Sequence, residues 1–161
     1  MRWLVLILFL LAPSPCAWAD PAQDLIAAVN AARRQVGLAP LRSEERLARA
    51  AQDYAAVLAE WGRLSHKGPE GSGLKDRLMR QGYPYREAAE NLASGLIDSQ
   101  KTVGLWLQSP GHRANMLKPD VQDAGVGVSR ALDGQAYWTL LLGRRVDDHS
   151  QPLWFDLEEG P

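Results

Sequence analysis

Gly125-Val126-Gly127-Val128-Ser129-Arg130-Ala131-Leu132-Asp133-Gly134-Gln135-Ala136-Tyr137-Trp138-Thr139-Leu140-Leu141-Leu142 is the stretch that decides how this chain folds. Residues 125–129 and 136–142 are strand-forming runs, and Asp133-Gly134 lies between them. An Asp-Gly pair tolerates the left-handed backbone of a tight turn, so the pattern predicts an antiparallel hairpin.

Upstream of the hairpin the apolar residues follow a helical period. Leu25, Val29, Ala32 and Val36 share one face of a helix over residues 24–36; Gly37 ends it and Pro40 prevents its resumption. Leu47, Ala51, Tyr54, Leu58 and Trp61 repeat the pattern more strongly, with Arg46, Arg49, Asp53 and Glu60 elsewhere on the wheel. Ser43 is the expected N-cap, Glu44 and Glu45 complement the helix dipole, and Gly62 closes the helix. Residues 63–73 are rich in Gly, Ser and Pro and read as a loop carrying His66. A short helix follows over residues 74–81. Residues 86–94 are ambiguous, because Ala, Glu and Leu favour helix but the segment is short. Asp98 or Ser99 is expected to cap a helix through Trp106 and Leu107, which Ser109-Pro110-Gly111 breaks. Helices first and a hairpin last describe an α+β sandwich rather than a doubly wound parallel sheet.

The N-terminus reads as a signal peptide over residues 1–19. Met1-Arg2 supplies a positive start, residues 4–12 are apolar, and Ala17-Trp18-Ala19 is a small-x-small cleavage site before Asp20. The apolar run falls well short of the about 20 residues of a spanning helix, so no stable membrane span remains after removal. An uncleaved N-terminal anchor is the alternative. Residues 20–146 then form one domain and residues 147–161 an acidic tail without Lys or Arg. Cys16, the only cysteine, leaves with the leader, so the exported domain has no disulfide. The net charge of −1 becomes about −2 once Arg2 is lost. No basic stripe is present, which argues against a nucleic-acid partner. The expected product is secreted or periplasmic, and monomeric or weakly associating.

Three ionisable residues carry the candidate chemistry. His66 lies in Leu64-Ser65-His66-Lys67-Gly68, and Glu90 in Ala89-Glu90-Asn91-Leu92-Ala93. His112 lies in Trp106-Leu107-Gln108-Ser109-Pro110-Gly111-His112-Arg113-Ala114-Asn115-Met116-Leu117, just past the helix break. Brought together, two imidazoles and a carboxylate suit Zn²⁺ or another divalent cation. His66 and His112 are the expected ligands, with Glu90 orienting a histidine or a bound water. Ser109 has no nucleophile-elbow glycines around it, so its expected task is to cap the turn that presents His112.

These motifs together resemble the CAP superfamily, the SCP-like extracellular proteins, and its bacterial branch in particular. The resemblance rests on Val29-Asn30-Ala31-Ala32-Arg33, Gly37-Leu38-Ala39-Pro40-Leu41, Ser65-His66, Gly82-Tyr83, Glu90-Asn91-Leu92-Ala93, Trp106-Leu107-Gln108-Ser109-Pro110-Gly111-His112-Arg113 and Gly125-Val126-Gly127. It implies an α–β–α sandwich with a central antiparallel sheet, places Glu90 on or beside a strand, and puts a solvent-filled cleft over it. His66, Glu90 and His112 match three members of the tetrad of the eukaryotic branch. The fourth, a glutamate, is replaced by Ser109, which lowers the negative charge of the cleft.

Two kinds of function follow as expectations. One is a binding or structural module with divalent-metal capacity, whose further ligand is a small molecule, a lipid or a protein. The alternative is a metal-dependent, peptidase-like hydrolase with Glu90 as general base. Among the aromatics, Trp106 and Trp138 are expected to fill the layers between helix and sheet. Tyr83 and Tyr85 flank Pro84 in a loop and are the better exposed candidates for ligand contact. Arg113 and Asn115 are expected to anchor the chain after the break through hydrogen bonds to backbone. His149, in the tail, reads as solvated surface.

Overall fold

The computed structural model describes residues 20–95 and 98–146. The signal-peptide reading of residues 1–19 and the readings of the tail, including His149, lie outside the described residues.

Helix α1 (Pro21–Gln35) begins earlier than its apolar period, because Asp20 caps it: Asp20 Oδ1 accepts from Ala22 N–H at 3.0 Å, and Pro21 occupies the first turn. The chain then makes a two-residue strand, β1 (Arg42–Ser43), before α2 (Glu45–Trp61). Ser43 is therefore not the cap of α2. Glu44 takes that place, its Oε2 accepting from Leu47 N–H at 3.0 Å and its Oε1 from Arg46 Nε at 2.7 Å. Gly62, with φ of 64°, ends the helix. A 3-10 turn (Pro69–Gly71) precedes α3 (Leu74–Arg80) and the long strand β2 (Tyr85–Gly95). The segment of ambiguous propensity is thus extended. Tertiary packing overrides its Ala and Leu content, because Ala89, Ala93 and Leu92 are all buried in the cores beside the sheet.

Helix α4 (Ser99–Gln108) is capped by Asp98, whose Oδ1 accepts from Lys101 N–H at 2.8 Å. The Ser109-Pro110-Gly111 break is narrower than expected. Pro110 ends α4 but starts α5 (Pro110–Met116) at once, its fixed φ and missing N–H suiting the first helical position. His112 therefore sits inside a short helix. Strands β3 (Asp123–Arg130) and β4 (Ala136–Arg145) form the expected hairpin. Ala131 N–H donates to Gln135 O and Gly134 N–H to Ala131 O, each at 2.9 Å, with Gly134 at φ 84°.

The sheet order is β1-β3-β4-β2. The three long strands are antiparallel, and β1 adds two residues in parallel to the outer side of β3. Alternation along β4 assigns the layers. Ala136, Trp138, Leu140 and Leu142 pack with Leu25 and Val29 of α1, Val103 and Trp106 of α4, and Met116 of α5. Tyr137 and Leu141 face the other way, among Leu47, Ala51, Tyr54 and Leu58 of α2 and Leu78 of α3. The result is the α–β–α sandwich, with Trp106 and Trp138 each 2% exposed between layers.

Gly125 and Gly127 set the distance of α2 from the sheet. A Cβ on Gly125 would overlap the backbone at Leu47 and Ala48, and one on Gly127 the backbone at Ala51 and Gln52. Gly143 gives similar room to the Tyr83 ring, so Tyr83 is buried rather than exposed in a loop. Its hydroxyl donates to Asp123 Oδ2 at 2.9 Å, and burial followed by the Asp123 charge pushes it well above the usual phenol range. Arg33, also buried, fastens the far end of α5. Its Nε donates to Ala39 O at 2.9 Å, and Nη1 donates to Met116 O at 2.8 Å and Lys118 O at 2.9 Å. Among the described residues, no helix is long and apolar enough to cross a membrane.

Candidate histidine cleft

The candidate site is built on β2, the edge strand. Glu90 is opposite Leu141 in the ladder and Asn91 opposite Leu140, so the two side chains enter different layers. Glu90 points toward α2 and α3, where it exposes only 4% of its side chain. Its Oε1 accepts from His66 Nδ1 at 2.7 Å, and its Oε2 pairs with Arg77 Nη2 at 2.5 Å. His66, on the loop after α2, exposes 65% of its side chain. Since the carboxylate oxygen accepts, Nδ1 of His66 bears the proton in this pair and Nε2 is left for another partner.

Arg77 was not among the residues the sequence singled out. Its side chain is 6% exposed, and the guanidinium carbon lies 3.6 Å from the centre of the Tyr54 ring. Nη2 also approaches His66 O, and Nη1 approaches Ser72 O, each at 3.5 Å. Tyr54 completes the support by donating its hydroxyl to Ser65 O at 2.5 Å, directly before His66. Burial, the largest influence, raises the Tyr54 hydroxyl above the ordinary phenol value, so it remains a donor at neutral pH. A cation, a carboxylate and an aromatic ring thus hold one histidine from beneath.

The second histidine arrives from the opposite layer. Asn91 is fully buried; its Nδ2 donates to His112 O at 3.0 Å, and its Oδ1 accepts from Asn115 Nδ2 at 2.9 Å. Asn115 Nδ2 also donates to Glu90 O at 3.3 Å, so Asn115 anchors α5 to β2 as expected. Arg113 contributes its backbone N–H, which donates to Ser109 O at 2.9 Å. The His112 ring lies 6.3 Å from that of Trp106, centre to centre and tilted by 47°. Trp106 Nε1 in turn donates to Leu92 O at 3.0 Å. Burial, and secondarily the nearby His66 charge, holds His112 below the usual imidazole range, favouring its neutral form.

Ser109 is half-buried at the junction of α4 and α5. Its side chain makes no capping hydrogen bond, so the turn is secured through its backbone carbonyl instead. The structure therefore gathers His66 and Glu90 in direct contact and brings His112 into electrostatic reach of His66. Among the described residues, no group of three or more His, Cys, Asp or Glu side chains is placed to hold one metal ion.

Residues 26–142 match the sequence profile of CAP, the cysteine-rich secretory protein family. The chain belongs to the CAP family. One CAP-type relative, the uncharacterised protein YkwD of Bacillus subtilis, is 30% identical over 117 residues, covering 73% of this chain and 44% of the relative. The chain thus spans less than half the length of that protein. An outer surface protein of Borrelia burgdorferi has a similar structure, with a TM-score of 0.72 at 25% identity, covering 80% of this chain and 97% of that one. An extracellular SCP-domain protein of Bacillus anthracis superposes with a TM-score of 0.70 at 27% identity, covering 78% of this chain and 40% of that one. These two structures share the sandwich fold with this chain.

Proposed function

We propose that this CAP domain is an exported binding module whose two cleft histidines hold an exchangeable divalent cation, Zn²⁺ by the softness of its donors. The observation that carries the metal reading is the His66–Glu90 contact through Nδ1. A carboxylate on one imidazole nitrogen fixes the ring and its tautomer, leaving the other nitrogen as a ligand. His66 Nε2 and the neutral His112 would hold the ion, with water completing its coordination. When bound, the ion supplies a Lewis-acid point that an oxygen of a further ligand can occupy. With only two protein ligands, binding is reversible.

Export is supported by the leader-like residues 1–19 and by relatives described as extracellular or outer-surface proteins. The further ligand of the cleft is a small molecule, a lipid or a protein, and the domain works as a monomer. The hydrolase alternative has less support. Glu90 exposes only 4% of its side chain and is already paired with His66 and Arg77, which leaves little access for a water that it could deprotonate.

Calorimetric titration of the protein with Zn²⁺ tests the reading. Saturable heat is expected, and it disappears when His66→Ala and His112→Ala are combined. Heats unchanged by that double substitution would overturn it.

A further inference from the structure

Strand β3 has a strand neighbour along only part of its outer side. β1 covers Asp123 and Ala124, and the chain then turns into α2 at Glu44, whose N–H donates to Ala124 O at 2.9 Å. Among the described residues, no strand lies beside residues 125–130 on that side. A side chain stands there instead. Gln52 of α2 donates from Nε2 to Val128 O and accepts at Oε1 from Val128 N–H, each at 3.1 Å.

This pair of bonds identifies what the edge is built to receive. One residue of an antiparallel strand exchanges both an N–H and a C=O bond with the residue opposite it, whereas a parallel neighbour divides them between two residues. The Gln52 carboxamide thus stands in for one residue of an antiparallel strand. It is exposed, and both bonds lie at the surface, where an incoming backbone can replace them. Arg130, two residues on and also exposed, directs its backbone to the same side.

A groove adjoins the edge. It lies between the last turns of α2 and the β3–β4 turn, opens to solvent and holds about 570 Å³. That far exceeds the ~10–15 Å³ of a single water and admits whole side chains. Ala56, Ala59 and Trp61 form one wall, Ser129 and the fully exposed Leu132 the other. The guanidinium carbon of Arg63 lies 4.8 Å from the centre of the Trp61 ring and steadies that wall. The Val128 side chain packs in the α1 layer, so a strand residue opposite it points away from the groove. The next residue, opposite Ser129, points into it.

An acyl chain could fill the groove but has neither donor nor acceptor for Val128. A polypeptide meets both. We propose that the outer edge of β3 takes up an extended peptide of a partner protein as an antiparallel strand. The peptide displaces Gln52 from Val128 and seats an apolar side chain in the groove opposite Ser129. Backbone bonds supply the hold, and the groove selects the alternate side chain. The site is on the opposite edge of the sheet from β2, so it does not depend on the histidines or on a metal.

The test is a titration of ¹⁵N-labelled protein with a capped hexapeptide of alternating threonine and leucine, following the Val128 and Arg130 amides. Both are expected to move saturably. Gln52→Ala removes an exposed competitor and binds about fivefold more tightly, the factor corresponding to about one net hydrogen bond. Serine in place of the leucines weakens binding by about tenfold or more, because the groove then buries no apolar side chain. N-methylation of the threonines, which stand opposite Val128 and Arg130 in this register, abolishes binding. Amides that stay unmoved in both wild type and Gln52→Ala overturn the proposal. Undiminished binding of the N-methylated peptide does so too, since the contact is then through side chains alone. Dimerisation of Gln52→Ala without peptide, read by sedimentation, assigns the edge to a second copy of this chain and overturns the partner named here.

Discussion

Glu90 and Asn91 are adjacent in β2 yet grip opposite layers of the sandwich. Glu90 holds His66 and Arg77 on the α2 side, while Asn91 holds the His112 carbonyl and Asn115 on the α5 side. The two-residue period of a strand is what lets neighbouring residues do this. Each histidine is consequently presented by a different helical layer, and the strand between them sets their spacing.

Removing the cation beneath Glu90 is expected to be severe. Arg77→Met leaves a buried carboxylate without its strongest partner, and breaking one side of such a pair costs about 3–5 kcal/mol. Replacing both residues, with Arg77→Met and Glu90→Met together, recovers a substantial part of that loss. Urea denaturation of the two variants checks it; equal stability of Arg77→Met and wild type would show that the pair carries no weight.

Asn91→Ala removes a buried amide that serves two groups at once. The His112 carbonyl and the Asn115 side chain lose their partner, and the expected loss is about 1–3 kcal/mol. Heteronuclear relaxation should also show greater motion of residues 110–116, because α5 is tied to β2 through this amide. A rigid α5 in the variant would contradict the assignment.

The glycines of β3 and α4 should respond in opposite ways. Gly125→Ala or Gly127→Ala drives a methyl into the backbone of α2, which cannot yield as a side chain would, and destabilises by about 3 kcal/mol or more. Gly104→Ala meets nothing within 4 Å and lies in a helix, where alanine is favoured by about 0.5–1 kcal/mol. Thermal unfolding of the three variants makes the comparison directly.

The cap of α2 gives the fold an acid-sensitive point. Burial alone would raise the Glu44 carboxyl, but hydrogen bonds from Leu47 N–H and Arg46 outweigh it and hold the carboxyl below its ordinary value of 4.5. Its contribution is therefore complete above that value and is lost as pH falls through the lower, folded one. Glu44→Gln should be less stable than wild type at pH 7 by about 1 kcal/mol, a typical cap contribution, and the difference should shrink on acidification. A difference that is constant between pH 7 and pH 3 would refute the linkage.

The hairpin was readable because Asp133-Gly134 and its flanking runs act locally. Helix α2 was readable because its apolar spacing is strong, but its cap was not. Ser43 is drawn into pairing with β3, and glutamate is an unusual residue at that position. Strand β2 escaped propensity because it is packed on both faces, so its apolar residues do not alternate. Arg77 gave no signal at all, since an arginine on a short helix ordinarily points to water. Only the distant arrival of β2 makes it a buried partner. Tyr83 is buried despite its loop-like sequence context for a related reason: the space that takes its ring is provided by Gly143, sixty positions away in the chain.

The outer carbonyls of β2 carry one further consequence. Glu90 O and Leu92 O are taken by Asn115 and Trp106, side chains of the same helices that frame His112. Lifting those helices to widen the cleft would bare an adhesive row of acceptors to any neighbouring molecule. Engineering a roomier pocket in this scaffold therefore invites self-association, unless the bared margin is given a charge or a proline at the same time.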